Sequence, residues 1–521
     1  MVFKFHSPDE AAASIRDGDT IALTGSGPIL VPDAVLAAIQ QRFLATGHPR
    51  NLTVVHALGI GDADTRGLNY LAHEGLVKRV IGGHWSWSPK MQQLAREERI
   101  EAYSFPAGVI GALMRESGAR RPGLITRTGL GSFADPRREG GRQNKSAVEE
   151  LVKVIEIEGR EYLHYLPIKV DVAIIRGSTA DTNGNVAYDL EPAFLDSFAV
   201  ALSARGNGGV VICQVKRGVE LGALPPMNVH IPSTLTDMIV VDPQQMQTYE
   251  GEFNAAFNTP AIARQDTVAV EPQRLDAAKE IIVRGASREV KAGSVVNVGF
   301  GVSASVVDVL RREDRLKDIS LAIEQGAVGG TPAPGALFGV SEYPYAIVPS
   351  TLQFDSFATQ LIDTAVLGMG ELDIHGNVNV SKLGGTSVGP GGFVDIVHGS
   401  KRAVFCGTFS TKGLRVSVTG GKAHIENEGA IIKIVPDVEQ ITYAAEAARE
   451  DGRTALFVTE RAVFELSPTG LKLIEIVPGI DPQRDVLDLL PEGIDTSSWT
   501  YMDSQILQDV EAHLNAGSYS R

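Results

Sequence analysis

The hydrophobic and polar positions at the start of the chain alternate between helix and strand patterns. Residues 7–10, Ser-Pro-Asp-Glu, form a capping-box signature with proline at the first helical position, which predicts a helix that ends at Gly18. An apolar run at 20–24 has the length of a buried strand, and Gly25-Ser26-Gly27 separates it from apolar residues with helical spacing at 35–39. The predicted order is therefore helix, strand, glycine loop, helix.

The second half of the chain repeats this pattern. Gly293 precedes an apolar run at 295–298, and Gly299-Phe300-Gly301 then leads into helically spaced apolar residues at 306–310. Each of the two halves thus contains a strand, a glycine loop and a helix in the same order.

A second pair of segments supports an internal duplication. Residues 181–186 (Asp-Thr-Asn-Gly-Asn-Val) match 373–378 (Asp-Ile-His-Gly-Asn-Val), and an apolar run with a cysteine follows the glycine after 29 residues in the first case and 30 in the second. The matching glycines are 166 residues apart in the first half and 83 in the second, so the first half carries a large insertion. The pattern indicates a duplication with divergence.

Strands alternate with helices in both halves, which predicts an α/β fold of two related domains with mainly parallel sheets. We expect an N-terminal domain at 1–268 that contains the insertion and a C-terminal domain at 269–521. Near the end of the chain, apolar residues at 463–466 and 471–474 flank Ser-Pro-Thr-Gly, which predicts a hairpin added to the second sheet.

Composition narrows the functional classes. The chain has 521 residues, 43% of them hydrophobic, and a formal net charge of -15, which argues against a nucleic-acid surface but allows a small basic pocket for a phosphorylated cofactor. Cys213 and Cys406 lie in apolar runs, so we expect no disulfide framework and a reducing compartment. No run of 18 apolar residues and no basic leader followed by an apolar core are present, so a cytoplasmic protein without a membrane segment is expected.

The segment 319–330 is the most informative for chemistry. An apolar run ends at Glu324 and is followed by glycines, and ligands of α/β folds bind at such strand ends. Glu324 could be a nucleophile, a general base or a metal ligand, or only a partly exposed glutamate at a turn. A metal role is disfavoured, because no histidine or second carboxylate has ligand spacing nearby.

Three glycine-rich segments remain open to more than one interpretation. The loops that contain Gly25 and Gly299 could hold phosphates at helix N-termini or could be tight turns between a strand and a helix. The segment 389–393, Gly-Pro-Gly-Gly-Phe, could aim backbone N–H groups at an oxyanion or could be an ordinary turn. The segment 82–87, with His84 between glycines and tryptophans, could line a pocket or belong to the core.

Taken together, these segments resemble the family I coenzyme A transferases, in particular the single-chain acetate and propionate CoA-transferase branch. The resemblance spans nearly the whole chain. It is carried by six segments in addition to the one with Glu324, namely 82–85 (Gly-Gly-His-Trp), 129–137 (Gly-Leu-Gly-Ser-Phe-Ala-Asp-Pro-Arg), 176–181 (Arg-Gly-Ser-Thr-Ala-Asp), 391–395 (Gly-Gly-Phe-Val-Asp), 404–409 (Val-Phe-Cys-Gly-Thr-Phe) and 460–464 (Glu-Arg-Ala-Val-Phe).

The resemblance implies a role for Glu324. In that family the matching glutamate is acylated and then forms a glutamyl-CoA thioester, so no metal and no permanently bound cofactor is expected and coenzyme A is a co-substrate. Gly299 and Gly301 are the candidates for close approach to the cofactor, and Gly391 and Gly392 are those for the oxyanion.

One position departs from the family pattern. Where the family usually has Pro-Gln-Gly, this chain has Pro106-Ala107-Gly108, so a carbonyl-polarising amide is missing. Ala107 would enlarge the acyl pocket, leave the oxyanion to backbone donors, or mark a slower or altered activity, since the loss of one such donor typically costs about a hundredfold in rate.

The leading hypothesis is a short-chain acyl-CoA:carboxylate CoA-transferase acting on acetate, propionate or a similar acid. The expected partners are acyl-CoA and short-chain carboxylic acids, without nucleic acid or membrane, and the protein is expected to be a homo-oligomer, either a dimer or a tetramer. An acyl-CoA hydrolase and a catalytically weak CoA-binding protein are the alternatives, the latter motivated by Ala107.

Overall fold

The computed structural model describes residues 5–259 and 275–516. Within these residues the chain forms two compact units. The first consists of residues 5–259, Ile323–Ser356 and Gly384–Asp395, and the second consists of residues 275–322, Phe357–Leu383 and 396–516. The boundary expected near residue 268 lies outside the described residues. Two segments from the second half of the sequence, including the one with Glu324, belong to the first unit rather than to a continuous C-terminal domain.

The helices are distributed over the whole described chain. They are α1 (Pro8–Ala13), α2 (Asp33–Thr46), α3 (Pro89–Arg96), α4 (Ala107–Gly118), α5 (Ser197–Gly206), α6 (Ala277–Ser287), α7 (Val306–Arg312), α8 (Ser350–Ala358), α9 (Phe393–His398), α10 (Ala445–Glu450), α11 (Pro482–Asp485) and α12 (Ser504–Ala516).

The capping box that the sequence predicts is present at α1. The Ser7 hydroxyl accepts a hydrogen bond from the Glu10 backbone N–H at 3.1 Å, and the Glu10 carboxylate accepts one from the Ser7 N–H at 2.9 Å. Two of the N–H groups that a helix start leaves without partners are therefore satisfied.

An eight-stranded sheet forms the centre of the first unit. Its strands are β1 (Phe5–His6), β2 (Thr20–Leu23), β3 (Leu52–His56), β4 (Val77–Gly82), β5 (Glu101–Ser104), β6 (Val172–Arg176), β7 (Val210–Val215) and β8 (Met238–Val241). They lie in the order β1-β8-β7-β6-β2-β3-β4-β5, and all neighbours are parallel. The middle strand β6 is buried along its whole length, as expected of a parallel sheet that is covered on both faces.

The second unit has its own eight-stranded sheet. Its strands are β9 (Val295–Val298), β10 (Ser320–Leu321), β11 (Ile362–Gly368), β12 (Ser400–Cys406), β13 (Thr454–Val458), β14 (Ala462–Ser467), β15 (Gly470–Ile476) and β16 (Thr500–Tyr501). They lie in the order β10-β9-β11-β12-β13-β14-β15-β16. Strands β14 and β15 pair antiparallel as the predicted hairpin, and the first five strands in this order are parallel.

The two sheets share a strand order, which confirms the duplication. Strands β8-β7-β6-β2-β3 of the first sheet correspond to β13-β12-β11-β9-β10 of the second. In the first unit β4, β5 and a three-stranded sheet of Leu124–Thr126, Arg160–Tyr165 and Val152–Ile157 lie in the chain between β3 and β6. This is the insertion that the unequal spacing indicates.

The matching turns of the two halves also have the same hydrogen bonds. Asp181 accepts through Oδ1 from the backbone N–H groups of Asn183 and Asn185. Asp373 accepts in the same way from those of His375 and Asn377. The glycine of each turn has a positive φ, 90° in the first and 87° in the second, which a side chain would strain.

Short strands complete the structure. They are Thr179–Asp181, Val186–Ala187, Arg217–Val219, Val229–Ile231, Ala327–Val328, Thr331–Pro332, Ser341–Glu342, Ala346–Ile347, Glu371–Asp373, Val378–Asn379, Lys382–Leu383, Thr386–Ser387, Ser410–Thr411, Arg415–Thr419, Lys422–Asn427, Ile431–Ile432 and Ile434–Val435.

Candidate active site

Glu324 lies in a tight turn of the first unit. The N–H of Ile323 donates to the carbonyl of Ala327 at 2.9 Å, and the N–H of Gly326 donates to the carbonyl of Ile323 at 2.9 Å. Gly326 has a φ of 114°, and a Cβ there would lie 1.9 Å from the carbonyl oxygen of Val348. The glycine after the glutamate is therefore required by the backbone, and the turn leaves Glu324 partly exposed.

The carboxylate of Glu324 is held by two neighbours. Gln325 donates from Nε2 to Glu324 Oε1 at 3.1 Å, and the same amide lies 3.3 Å from the Ser26 hydroxyl. On the other side the carboxylate faces the backbone of Gly392, where a Cβ would lie only 1.9 Å from Glu324 Oε2. The site therefore accepts no side chain at position 392.

Burial determines the protonation of Glu324. Removal of the carboxylate from water raises its pKa from 4.5 to about 7, although the hydrogen bonds from Gln325 and from the Gly392 N–H lower it. Both the carboxylate and the carboxylic acid are consequently populated near neutral pH. A carboxylate that is weakly solvated and yet still ionisable is suited to nucleophilic attack.

The loop at 389–392 is fixed by backbone hydrogen bonds within the first unit. The N–H of Gly391 donates to the carbonyl of Gly83 at 2.8 Å, and the N–H of Ala107 donates to the carbonyl of Gly391 at 2.8 Å. The N–H groups of Ala107 and Gly391 thus already have acceptors. Among the predicted oxyanion residues, only Gly392 directs its N–H toward Glu324.

Asp395 is a second buried carboxyl group, which the sequence analysis did not single out. Its Oδ2 accepts from the N–H of Gly108, in the first turn of α4, at 3.0 Å. Burial is the main cause that raises its pKa from 3.8 to about 8, and the nearby charge of Glu324 raises it further. The signal was present in the quoted segment Gly-Gly-Phe-Val-Asp, but nothing in the sequence pairs this aspartate with Gly108.

Two histidines border the same loop. His84 lies beside Gly391, and its Nδ1 is buried without a hydrogen-bond partner. Burial lowers the pKa of His84 and that of His56 to about 4, so both rings are neutral at pH 7. His84 therefore belongs to the site's wall as an uncharged ring.

Known proteins share both the sequence and the fold. The family model described as coenzyme A transferase matches residues 5–242. The acetate CoA-transferase YdiF of Escherichia coli (strain K12) is 38% identical over 483 residues, which make up 92% of this chain and 91% of that protein. The caffeate CoA-transferase of Acetobacterium woodii is 40% identical over 493 residues, 93% of each chain.

A solved structure agrees over nearly the whole length. The crystal structure of the acyl-CoA transferase YdiF of E. coli O157:H7, described as a thioester complex with CoA, matches with a TM-score of 0.90 and 36% identity and covers 97% of this chain and 96% of that chain. This chain belongs to the coenzyme A transferase family.

The second unit of this CoA-transferase contains a cavity of about 1060 Å³. Gly301, Phe300 and Lys433 line it, together with two further cationic residues, Lys412 and Arg415. Burial lowers the pKa of Lys433 to about 8, and its ammonium group donates to the carbonyl of Met369 at 2.8 Å. The cavity therefore offers both apolar surface and positive charge.

The two predicted cofactor glycines differ in their surroundings. Gly301 lines the cavity, has a φ of 86° and has open space where a Cβ would be placed. The N–H of Gly299 donates to the carbonyl of Val366 at 2.8 Å, within the sheet of the second unit. Gly301 is thus the one of the two that a ligand in the cavity could approach.

Searches for a metal centre and for a membrane span gave negative results over residues 5–259 and 275–516. No group of three or more His, Cys, Asp or Glu side chains in these ranges is arranged to hold a metal ion. No helix in the same ranges is both long and apolar enough to cross a bilayer.

Substitution of Gly392 tests the close approach at the carboxylate. We expect Gly392→Ala to lower kcat for CoA transfer by about a hundredfold or more, because the new methyl group would displace Glu324 from its position. Gly251→Ala is the matched control, since a Cβ at Gly251 meets nothing within 4 Å. Steady-state rates and melting temperatures of both variants provide the measurement, and equal activities would contradict the proposed packing.

Proposed function

We propose that this CoA-transferase moves coenzyme A between a short-chain acyl-CoA and a free carboxylate through a covalent thioester on Glu324. The observation that carries the proposal is the Glu324 carboxylate, held by Gln325 and pressed against Gly392 at a site that burial makes weakly solvated. The relative named as an acetate CoA-transferase and the solved thioester complex support the same chemistry.

The reaction divides into two exchanges. Ionised Glu324 attacks the thioester carbonyl, the C–S bond breaks, and a mixed anhydride and CoA thiolate result. The thiolate then attacks the Glu324 carbonyl, the anhydride C–O bond breaks, and the first acid leaves as its carboxylate. The acceptor acid reverses both steps, so one thioester replaces another and no external energy source is required.

The surroundings of Glu324 assign a role to each neighbour in this sequence. The amide of Gln325 orients the carboxylate through its bond to Oε1. The N–H of Gly392 faces the carboxyl group and can stabilise the negative oxygen that develops there when the thiolate attacks. In this proposal the oxyanion donor on the enzyme's own carbonyl is Gly392, whereas Gly391 and Ala107 fix the loop.

The acid that the enzyme accepts is proposed at the level of a class. One relative is named for acetate and another for caffeate, which differ greatly in size. Ala107 is buried, and its small side chain adds bulk to neither the acyl group nor the loop. We assign short-chain acids such as acetate or propionate as the substrates, with Ala107 as a determinant of acyl size.

Glu324→Gln tests the nucleophile. The amide is a poor nucleophile of nearly the same shape, so transfer from acetyl-CoA to propionate should fall to background while the variant keeps the wild-type melting temperature. Glu342→Gln, in the same segment of the first unit, is the control and should remain active. Retained transfer by Glu324→Gln would contradict the proposal.

Release of free CoA in the absence of an acceptor acid distinguishes transfer from hydrolysis. A transferase should release at most a stoichiometric trace, whereas the hydrolase alternative predicts continuous release. The weak-binder alternative predicts neither release nor transfer.

We also propose that the cavity of the second unit holds the phosphate-bearing part of coenzyme A. Lys412, Arg415 and Lys433 provide cationic groups for phosphates, and Phe300 provides a 60% exposed ring for an apolar or aromatic portion. Gly301 permits close approach of the ligand to the backbone.

Replacement of these cations should affect the acyl-CoA and not the acid. The double variant Lys412→Ala and Arg415→Ala should raise KM for acetyl-CoA about tenfold or more, as expected for the loss of charge-assisted hydrogen bonds, and should leave KM for propionate unchanged. Lys422→Ala, a cation of the same unit outside the cavity lining, is the control. An unchanged KM for acetyl-CoA in the double variant would place the phosphates elsewhere.

We further propose that the protein acts in the cytoplasm as a homo-oligomer, either a dimer or a tetramer. Its resemblance to the family supports this, as do two exposed hydrophobic side chains of the first unit, Met227 at 96% and Leu221 at 65% exposure.

A further inference from the structure

The mechanism above leaves one buried titratable group next to the nucleophile without a role. Asp395 lies in the first turn of α9 and is only 8% exposed. Its Oδ2 accepts from the N–H of Gly108, and a Cβ at Gly108 would lie 2.6 Å from its Oδ1. As at Gly392, a glycine lets a carboxylate lie directly against the backbone.

The two carboxyl groups contact opposite ends of one aromatic ring environment. A Cβ at Gly108, beside Asp395, would lie 2.7 Å from Cγ of Phe354, and a Cβ at Gly392, beside Glu324, would lie 2.8 Å from Cε1 of the same ring. The backbone sites that hold the two carboxyl groups are therefore neighbours across one phenylalanine. In surroundings of such low polarity, two nearby carboxylates repel each other strongly.

The groups that face the pair determine the order in which they ionise. Asp395 is faced by the N–H groups of Gly108 and Val109 from α4, and by the charge of Glu324. Tyr165, from the strand Arg160–Tyr165, is a further titratable neighbour, and Asp395 raises its pKa. Glu324 ionises first, and its charge then raises the pKa of Asp395 to about 8. Asp395, still neutral at that stage, adds nothing to the pKa of Glu324.

We propose that Asp395 is a positioning residue that stays protonated while Glu324 is a free carboxylate and releases its proton to solvent once Glu324 has become the neutral thioester. The inference rests on the proposed function of Glu324. The pair then holds one negative charge in both states, on Glu324 in the free enzyme and on Asp395 in the intermediate.

The atoms and charges balance. The acyl-CoA and the Glu324 carboxylate give the enzyme thioester and a free carboxylate ion, a step that neither takes up nor releases a proton. Separately, the O–H bond of Asp395 breaks and the proton passes to water or buffer. In the reverse half-reaction Asp395 takes a proton back as Glu324 becomes a carboxylate again.

The physical benefit is that the site avoids two extremes. Two adjacent carboxylates in the free enzyme would repel each other and draw water into the site. A fully neutral pair in the intermediate would leave the first turn of α4, where backbone N–H groups favour a negative charge, without an anionic partner.

Proton release during a single half-reaction tests the proposal. Enzyme is mixed with acetyl-CoA, without an acceptor acid, in weakly buffered solution at pH 8 with an indicator dye, and the thioester is counted by mass spectrometry. With the pKa values near 7 and 8, wild type should release roughly half a proton per thioester from Asp395, and Glu324 should add only about a tenth. Asp395→Asn should release only the smaller amount.

The matched control is Asp196→Asn. Asp196 is also a buried aspartate of the first unit, 5% exposed, and it accepts from the Thr24 hydroxyl at 2.6 Å. It should release protons as wild type does. A merely structural role for Asp395 predicts that Asp395→Asn loses stability but keeps the wild-type proton release.

A second measurement covers the case in which Asp395→Asn does not fold. In wild type, the equilibrium between free enzyme and thioester should shift toward the thioester as pH rises from 7 to 9, because a proton is released. A flat equilibrium above pH 8 in wild type would overturn the inference. Absence of any thioester would instead contradict the proposed function, so the two failures are distinguishable.

Discussion

The close packing of the Glu324 carboxylate against the Cα of Gly392 is the constraint on which the rest of the site depends. A carboxylate can approach the backbone so closely only where no side chain intervenes, and a Cβ at Gly392 would lie 1.9 Å from Oε2. This position requires the loop at 389–392 to be fixed, which the bonds from Gly391 to Gly83 and from Ala107 to Gly391 accomplish. Segments far apart in the sequence thus converge on one carboxylate.

The same packing sets the chemistry of the site. Exclusion of water raises the pKa of Glu324 to about 7, and a carboxylate that has lost its hydration is a better nucleophile than one in bulk water. The compensating donors are few, the amide of Gln325 and the N–H of Gly392, so the ionised form is stabilised without being masked. The cost of holding a second carboxyl group nearby falls on Asp395, which ionises later.

Local features of the fold could be predicted because local physics determines them. The capping box at Ser7 and the hairpin around residues 467–470 depend on neighbours a few positions away, and both are present. The duplication was readable because the Asp-x-x-Gly turns at Asp181 and Asp373 need the same acceptor and the same left-handed glycine in each half. Glu324 was identified from its strand end and from the family resemblance.

What the sequence could not provide depends on tertiary contacts. Asp395 matters because it meets Gly108, 287 positions earlier in the chain, and no local pattern reports that contact. The difference between Gly391 and Gly392 likewise depends on which N–H finds an acceptor, and Gly83 takes that of Gly391. The assignment of Glu324 to the first compact unit follows from packing that crosses the sequence repeat.

The most direct test of the central claim is mass spectrometry of the protein after incubation with acetyl-CoA without an acceptor acid, followed by borohydride reduction and peptide mapping. The account predicts a CoA adduct on the intact chain, and reduction of one side chain confined to the peptide with Glu324. An unmodified Glu324 peptide, or an acyl-CoA-dependent label on a different residue, would contradict it.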